Sequence, residues 1–158
     1  MKNKLIFFLT FLLFFLVLSQ KYLTKEYNIN DFIEEQQIKN PRVITLKDKS
    51  YIFSGKNKIY VFRNKDSYRF FVGEEGHRSF IMGGMDKGSV GIIINDLELA
   101  NHIQSYTVTL DEIEKKYNAE YKLENNIVVT DERIWNPTPN FTIEFQNAHG
   151  TTIFTANY

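Results

Sequence analysis

Residues 42–72 read RVITLKDKSYIFSGKNKIYVFRNKDSYRFFV, and this stretch decides the fold. Arg42–Leu46, Tyr51–Phe53, Ile59–Arg63 and Tyr68–Val72 are rich in β-branched and aromatic residues, the composition of strands. Lys47-Asp48-Lys49, Ser54-Gly55-Lys56-Asn57 and Asn64-Lys65-Asp66-Ser67 separate them. Connections this short and polar are hairpin turns. Parallel pairing needs a crossover of about a dozen residues or more, for which there is no room. The stretch predicts an antiparallel meander.

Toward the C-terminus, six of the eight glycines fall between Gly73 and Gly91, which reads as turns around a short strand at Ser79–Met82. Val90–Ile94 has the composition of a buried strand, Asp96 is placed to cap a short helix through Ile103, and Tyr106–Thr109 is a further short strand. Asp111–Asn118 carries helix signals, with Thr109 or Asp111 as cap, Glu112 and Glu114 early, and Lys115 and Lys116 late. Glu112 also stands four residues before Lys116, a favourable helical pair. Ile127–Thr130 is a strand by composition. Phe141, Ile143 and Phe145 alternate with Thr142, Glu144 and Gln146, which marks a half-buried strand, and Asn147-Ala148-His149-Gly150 turns it back into Thr151–Thr155.

Toward the N-terminus, Asn30 caps an expected helix with Asp31, Glu34 and Glu35 near its start and Pro41 at its end. Before it lies a polar tether, and before that Leu5–Leu18, apolar at thirteen of fourteen positions and preceded by Lys2 and Lys4. A basic start and an apolar run of roughly 7–15 residues have the form of a signal peptide. The run falls short of the roughly 20 apolar residues that cross a bilayer, and the cleavage signal around Leu18 is weak, so an uncleaved anchor is the alternative. Either reading keeps the basic end inside and the remainder outside. The expected organisation is therefore a signal peptide or membrane anchor at 1–19, a tether at 20–29 and a single β-rich extracytoplasmic domain at 30–158. The fold class expected is α+β: an N-terminal hydrophobic helix, then one twisted antiparallel β-sheet or partial barrel with two or three short helices.

Without Lys2 and Lys4 the chain carries seventeen basic and nineteen acidic side chains, so no global charge argues for nucleic acid. The absence of cysteine excludes a disulfide framework, a thiolate metal site and a cysteine nucleophile. His77 follows Glu74 and Glu75 in a glycine-rich loop, the one arrangement that suggests a catalytic base. His102 and His149 stand far from it in sequence, and no compact ligand spacing links the three, so no metal or other cofactor is expected. Gly88-Ser89-Val90-Gly91 lacks the glycine a nucleophile elbow requires at position 87.

The strongest local bias is electrostatic. Eight basic residues, Arg42, Lys47, Lys49, Lys56, Lys58, Arg63, Lys65 and Arg69, stand against Asp48 and Asp66 between Arg42 and Arg69. Tyr60 and other aromatics are interleaved with them. Lys47, Lys49, Lys56, Lys58 and Tyr60 are thus candidate contacts for an anionic surface. Trp135, in a loop stiffened by Pro137 and Pro139, is a further binding candidate.

The expected function is a non-enzymatic extracytoplasmic envelope interaction module. Its expected partners are an envelope protein or an anionic surface polymer, together with the membrane through residues 5–18 if these are uncleaved. The alternatives are a small exported hydrolase using His77, Glu74 and Glu75, and an inhibitor or immunity protein.

Overall fold

The computed structural model describes residues 27–73, 80–134 and 140–158. The decisive stretch folds as the expected antiparallel meander, sheet A, in the order β1 (Arg42–Thr45), β2 (Ser50–Ser54), β3 (Lys58–Asn64) and β4 (Ser67–Val72). Sheet B takes β5 (Phe80–Asp86), β6 (Ser89–Ile94), β10 (Asn126–Thr130) and β9 (Lys122–Leu123), in that order. Sheet C runs β12 (Thr152–Asn157), β11 (Phe141–Gln146), β7 (Ser105–Leu110) and β8 (Ile113–Asn118). Two helices accompany them, α1 (Ile29–Glu35) and α2 (Leu97–His102).

The α+β expectation is thereby corrected. The described chain is 53% strand and 11% helical, with three antiparallel sheets in place of one sheet or partial barrel, so it belongs to the mostly-β class. Only α1 reaches seven residues. The hydrophobic helix expected within residues 1–19 lies outside the described residues. Among those described, no helix is long and apolar enough to cross a membrane.

Side-chain alternation fixes how the layers stack. On β2 and β3, Tyr51, Phe53, Ile59 and Val61 share a cluster with Ile93 and Val128 of sheet B. The intervening Ile52, Tyr60 and Phe62 point the other way and pack with Phe32 of α1. On β6 and β10, Val90, Ile92, Ile94, Ile127 and Val129 face Tyr106, Val108, Phe141, Ile143 and Phe145 of sheet C. The order of layers is α1, A, B, C. Sheet B is covered on both faces, which is why all six residues of β6 are buried and its sequence is nearly continuous in apolar residues.

Three local expectations fail for identifiable reasons. Asp111–Asn118 is not a helix. Asp111 and Glu112 form a two-residue turn at φ 49° and 63°, Leu110 pairs with Ile113, and β8 returns along β7. Two consecutive positive φ angles in a two-residue loop define a type I′ hairpin. The glycines of 83–91 are not all turn residues either: Gly83 and Gly84 lie in β5 and Gly91 in β6. A Cβ on Gly91 would stand 2.7 Å from Cδ1 of Tyr51, and one on Gly84 2.8 Å from Cγ2 of Ile59. These glycines clear space for two side chains of sheet A. Finally, α1 is capped by Asn28, whose side chain accepts from the Asn30 and Asp31 amides while Asp31 accepts from the Asn28 amide. It ends well before Pro41, with Gln37 at φ 51° and the Ile38 and Gln37 amides donating to Ile33 and Glu34 carbonyls.

Candidate basic cleft and the buried charges around it

The meander divides the basic run between two ends of sheet A. The β1–β2 and β3–β4 turns, with Lys47, Lys49 and Lys65, lie at one end. The β2–β3 turn, with Lys56 and the neighbouring Lys58, lies at the other. Lys47, Lys56 and Lys58 are exposed. Tyr60 is buried, its ring stacked on Phe70 at 4.5 Å between centroids. His77, Glu74, Glu75 and Trp135 lie outside the described residues. His102, in the last turn of α2, and His149, in the β11–β12 turn, are both exposed. Among the described residues no group of three or more His, Asp or Glu side chains is placed to hold a metal ion.

Lys49 does not belong to an exposed patch. Its side chain is 3% accessible, with Nζ 2.5 Å from the Lys87 carbonyl oxygen and 3.7 Å from Asp86 Oδ2. Arg63 reaches the same carboxylate at 2.8 Å through Nη2 and 3.2 Å through Nε. Burial lowers the Lys49 pKa, against the pull of Asp86 and Asp48. Beside this group the Tyr51 hydroxyl and Ser89 Oγ are 2.8 Å apart, both residues wholly buried. The adjoining cleft of about 80 Å³ is lined by Arg63, Arg69 and Asp86. This cluster ties sheet A to the β5–β6 hairpin, with Lys49 and Asp86 buried in it and Arg63 reaching in from the surface.

A second buried carboxylate locks sheet C. Asp131, with a side chain 0% exposed, accepts from Arg133 Nε at 2.9 and 3.1 Å and Nη2 at 2.5 Å, while Arg133 also donates to the carbonyls of Ile113 and Val108. Burial alone would raise the Asp131 pKa, but hydrogen bonds from the Arg133 side chain and backbone and from Tyr117 outweigh it, so the carboxyl is held below its ordinary value. The Asp131–Glu132 pair is therefore one buried structural carboxylate and one exposed residue paired with Lys115 at 3.4 Å.

At the β2–β3 end the structure opens a cleft of about 510 Å³. Five segments line it: Lys39 and Asn40 after α1, Arg42 at the start of β1, Ser54, Gly55 and Lys56 in the β2–β3 turn, Asn95 and Leu97 before and in α2, and Asn125 in the β9–β10 turn. Hydrogen bonds brace its frame at several points. Ser54 Oγ donates to the Lys39 carbonyl at 3.0 Å, and Asn57 Nδ2 to the Gly73 carbonyl at 3.1 Å. Asn125 and Ile94 exchange bonds of 2.8 and 2.9 Å. Three cations and three side-chain amides thus face the cavity, and no carboxylate is among its lining residues. Arg42 is held at 2.7 Å by Glu124 on the rim. Such a set can bind anions and donate hydrogen bonds to their oxygens. It holds no nucleophile–base pair.

Of the expected contacts among the described residues only Lys56 lines this cleft. Lys39, Asn40, Asn95, Leu97 and Asn125 were missed. Lys39 carried a readable signal, a cation three residues from Arg42 across Pro41, but the amides come from distant turns. A larger groove of about 560 Å³ between Gln104, Lys116, Asn118, Glu120 and Asn147 combines one cation with one carboxylate and concentrates neither sign of charge. Compared with protein-family models, curated proteins and solved structures, the chain matches none.

Proposed function

We propose that this protein is a non-enzymatic, extracytoplasmic interaction module that binds an anionic surface polymer in the basic cleft. The observation that carries the reading is the convergence of Lys39, Arg42 and Lys56 with the amides of Asn40, Asn95 and Asn125 around a cavity without carboxylates. The extracytoplasmic location rests on the basic start and apolar run of residues 2–18. An open cleft lined by cations and amides suits a repeating phosphate or carboxylate chain better than a single compact ligand.

The test is binding of short-chain polyphosphate and of polygalacturonate to the full chain across a salt series. Reversing Lys39 and Lys56 together (Lys39→Glu, Lys56→Glu) should weaken binding at least tenfold at low salt, since each lysine near an anionic surface contributes about 1 kcal/mol and each reversal counts twice. Lys47→Glu, at the opposite end of sheet A, should leave affinity within twofold. Lys49 is unsuitable for such a test because its buried pairing makes any change a folding change. Equal binding by parent and double variant, or no binding by the parent to either polymer, would overturn the proposal.

A further inference from the structure

We propose that the β4 flank of sheet A lies against the lipid interface of the membrane that the N-terminal segment enters. This inference rests on the extracytoplasmic reading above, in its uncleaved-anchor form. β4 is an edge strand whose side chains on the α1 side are Tyr68, Phe70 and Val72, 46%, 47% and 57% exposed. The other large exposed hydrophobics of the described residues stand apart from one another, Leu97 in α2, Ile113 in β8, Leu123 in β9 and Tyr158 after β12. Here three successive same-face positions form one strip. Helix α1 covers only its inner margin: the Phe32 ring is 4.8 Å from Phe62 and 4.9 Å from Tyr68, while Phe70 meets Tyr60 and is left open on its outer side.

The position of the chain entry says what covers the strip. Tyr27, the first described residue, stands at the strip's Tyr68 end, 6.3 Å from Phe62, with Lys65 Nζ 5.5 Å from its ring centroid. Only residues 19–26 separate it from the apolar run, and eight residues span at most about 30 Å. If that run is in the bilayer, the domain stays within roughly one diameter of the surface, at an effective concentration near the millimolar range. The strip itself exposes on the order of 300 Å² from three half-exposed side chains. A stable protein dimer wants about 800 Å² per partner, so the strip is too small for a second copy but large enough for a tethered surface contact. Tyr and Phe rings with Lys58 and Lys65 at either end match the chemistry of a headgroup boundary. Glu34 and Glu35 of α1 lie on the same side of the sheet and oppose a strongly anionic leaflet, so the rings carry the contact and zwitterionic lipid supports it.

The chain has no cysteine, so a single probe reports a single position. Phe70→Cys, Val72→Cys and Lys116→Cys (on β8 of sheet C) in the full chain are labelled with an environment-sensitive fluorophore and reconstituted into vesicles of phosphatidylcholine, with and without phosphatidylglycerol. Flotation after an alkaline wash comes first. Vesicle-bound chain with blue-shifted probes at 70 and 72, quenched at least threefold more by headgroup-attached than by aqueous quencher, is the expected result, with position 116 in water. Bound chain with all three probes equally aqueous overturns the inference while leaving the anchor intact. Probes at 70 and 72 protected equally in dilute detergent and in vesicles, with cross-linking between chains, overturns it in favour of a second copy. A chain that does not float removes the anchor on which the inference stands. Because two positions are probed separately, misfolding of one variant, seen by circular dichroism, leaves the other to decide.

Discussion

Replacing Gly91 with alanine tests whether sheets A and B meet as closely as described. The added Cβ would stand 2.7 and 3.0 Å from Cδ1 and Cε1 of Tyr51 and 3.3 Å from Cγ2 of Ile59. Carbon atoms sit comfortably at about 3.5–4.0 Å, so the ring has to retreat by roughly 1 Å. Tyr51 is 0% exposed and its hydroxyl is held on Ser89 Oγ at 2.8 Å, which leaves the ring little freedom to move. Overpacking a core of this kind costs about 1–3 kcal/mol, and stretching the buried hydrogen bond adds about 1–3 kcal/mol. Against this, alanine loses less backbone freedom than glycine on entering a strand, a gain of roughly 0.5–1 kcal/mol. The net expectation is a loss of about 2–4 kcal/mol in urea unfolding of the full chain in mild detergent, followed by far-UV circular dichroism. Gly55→Ala serves as the contrast: it has nothing within 4 Å but a φ of 62°, so it should lose only about 1–2 kcal/mol. In a double-mutant cycle, Tyr51→Val should relieve at least about 1 kcal/mol of the Gly91→Ala penalty. A Gly91→Ala variant within about 0.5 kcal/mol of the parent would refute the close packing of the two sheets at this point.

Glu112→Gly separates hairpin from helix by the sign of its effect. At a turn residue of φ 63° glycine should stabilise by about 1 kcal/mol, whereas inside a helix it would cost about 1 kcal/mol, and the shift of the thermal midpoint reads which. Asp131→Asn should lose about 3 kcal/mol at neutral pH by removing the carboxylate that Arg133 grips. The folded-state pKa of Asp131 lies below the unfolded value of 3.8, so its contribution is fully present above that pH and is lost as pH falls through the folded pKa. Urea midpoints of parent and variant should begin to converge only as the pH falls below about 4, and parallel pH profiles would show that the Arg133 pairing is not what stabilises the loop.

The strands were legible because their signal is local. Alternation and β-branched or aromatic composition identified all four strands of sheet A, and Phe141–Gln146 is buried at 141, 143, 145 and 146. The number of sheets was not legible, because β6 pairs with β10 across α2 and a whole hairpin, and nothing in either strand names its partner. Asp111–Asn118 misled because early acids and late lysines satisfy a helix dipole. Yet Lys115 and Tyr117 do alternate in burial with Glu114, Lys116 and Asn118, and on a strand that is the period that matters. The reading of the glycines as positive-φ turn residues holds at Gly88, with φ 76°, but it overlooks the room that the missing side chains of Gly84 and Gly91 leave for Ile59 and Tyr51. The basic run was read as one patch because neighbouring turns are close in sequence. In a meander, consecutive turns fall at opposite ends of the sheet, so Lys47 and Lys56 cannot share a surface however near their numbers are.

That same alternation relates the cleft to the chain entry. Tyr27 sits by the β3–β4 turn, and the cleft sits by the β2–β3 turn, at the other end of β3. The seven residues of β3 separate the two by about 20 Å at the rise of a strand. A domain held by its N-terminus and resting on its β4 flank, as proposed, would keep the basic cleft at the end remote from its tether. An anionic polymer can be bound there without passing between domain and leaflet. Binding in the cleft and contact along β4 would then be independent, so Lys39→Glu with Lys56→Glu should weaken the first at least tenfold without moving a probe at position 70. Coupling between them would mean that cleft and flank compete for one surface, and their separate placement would have to be abandoned.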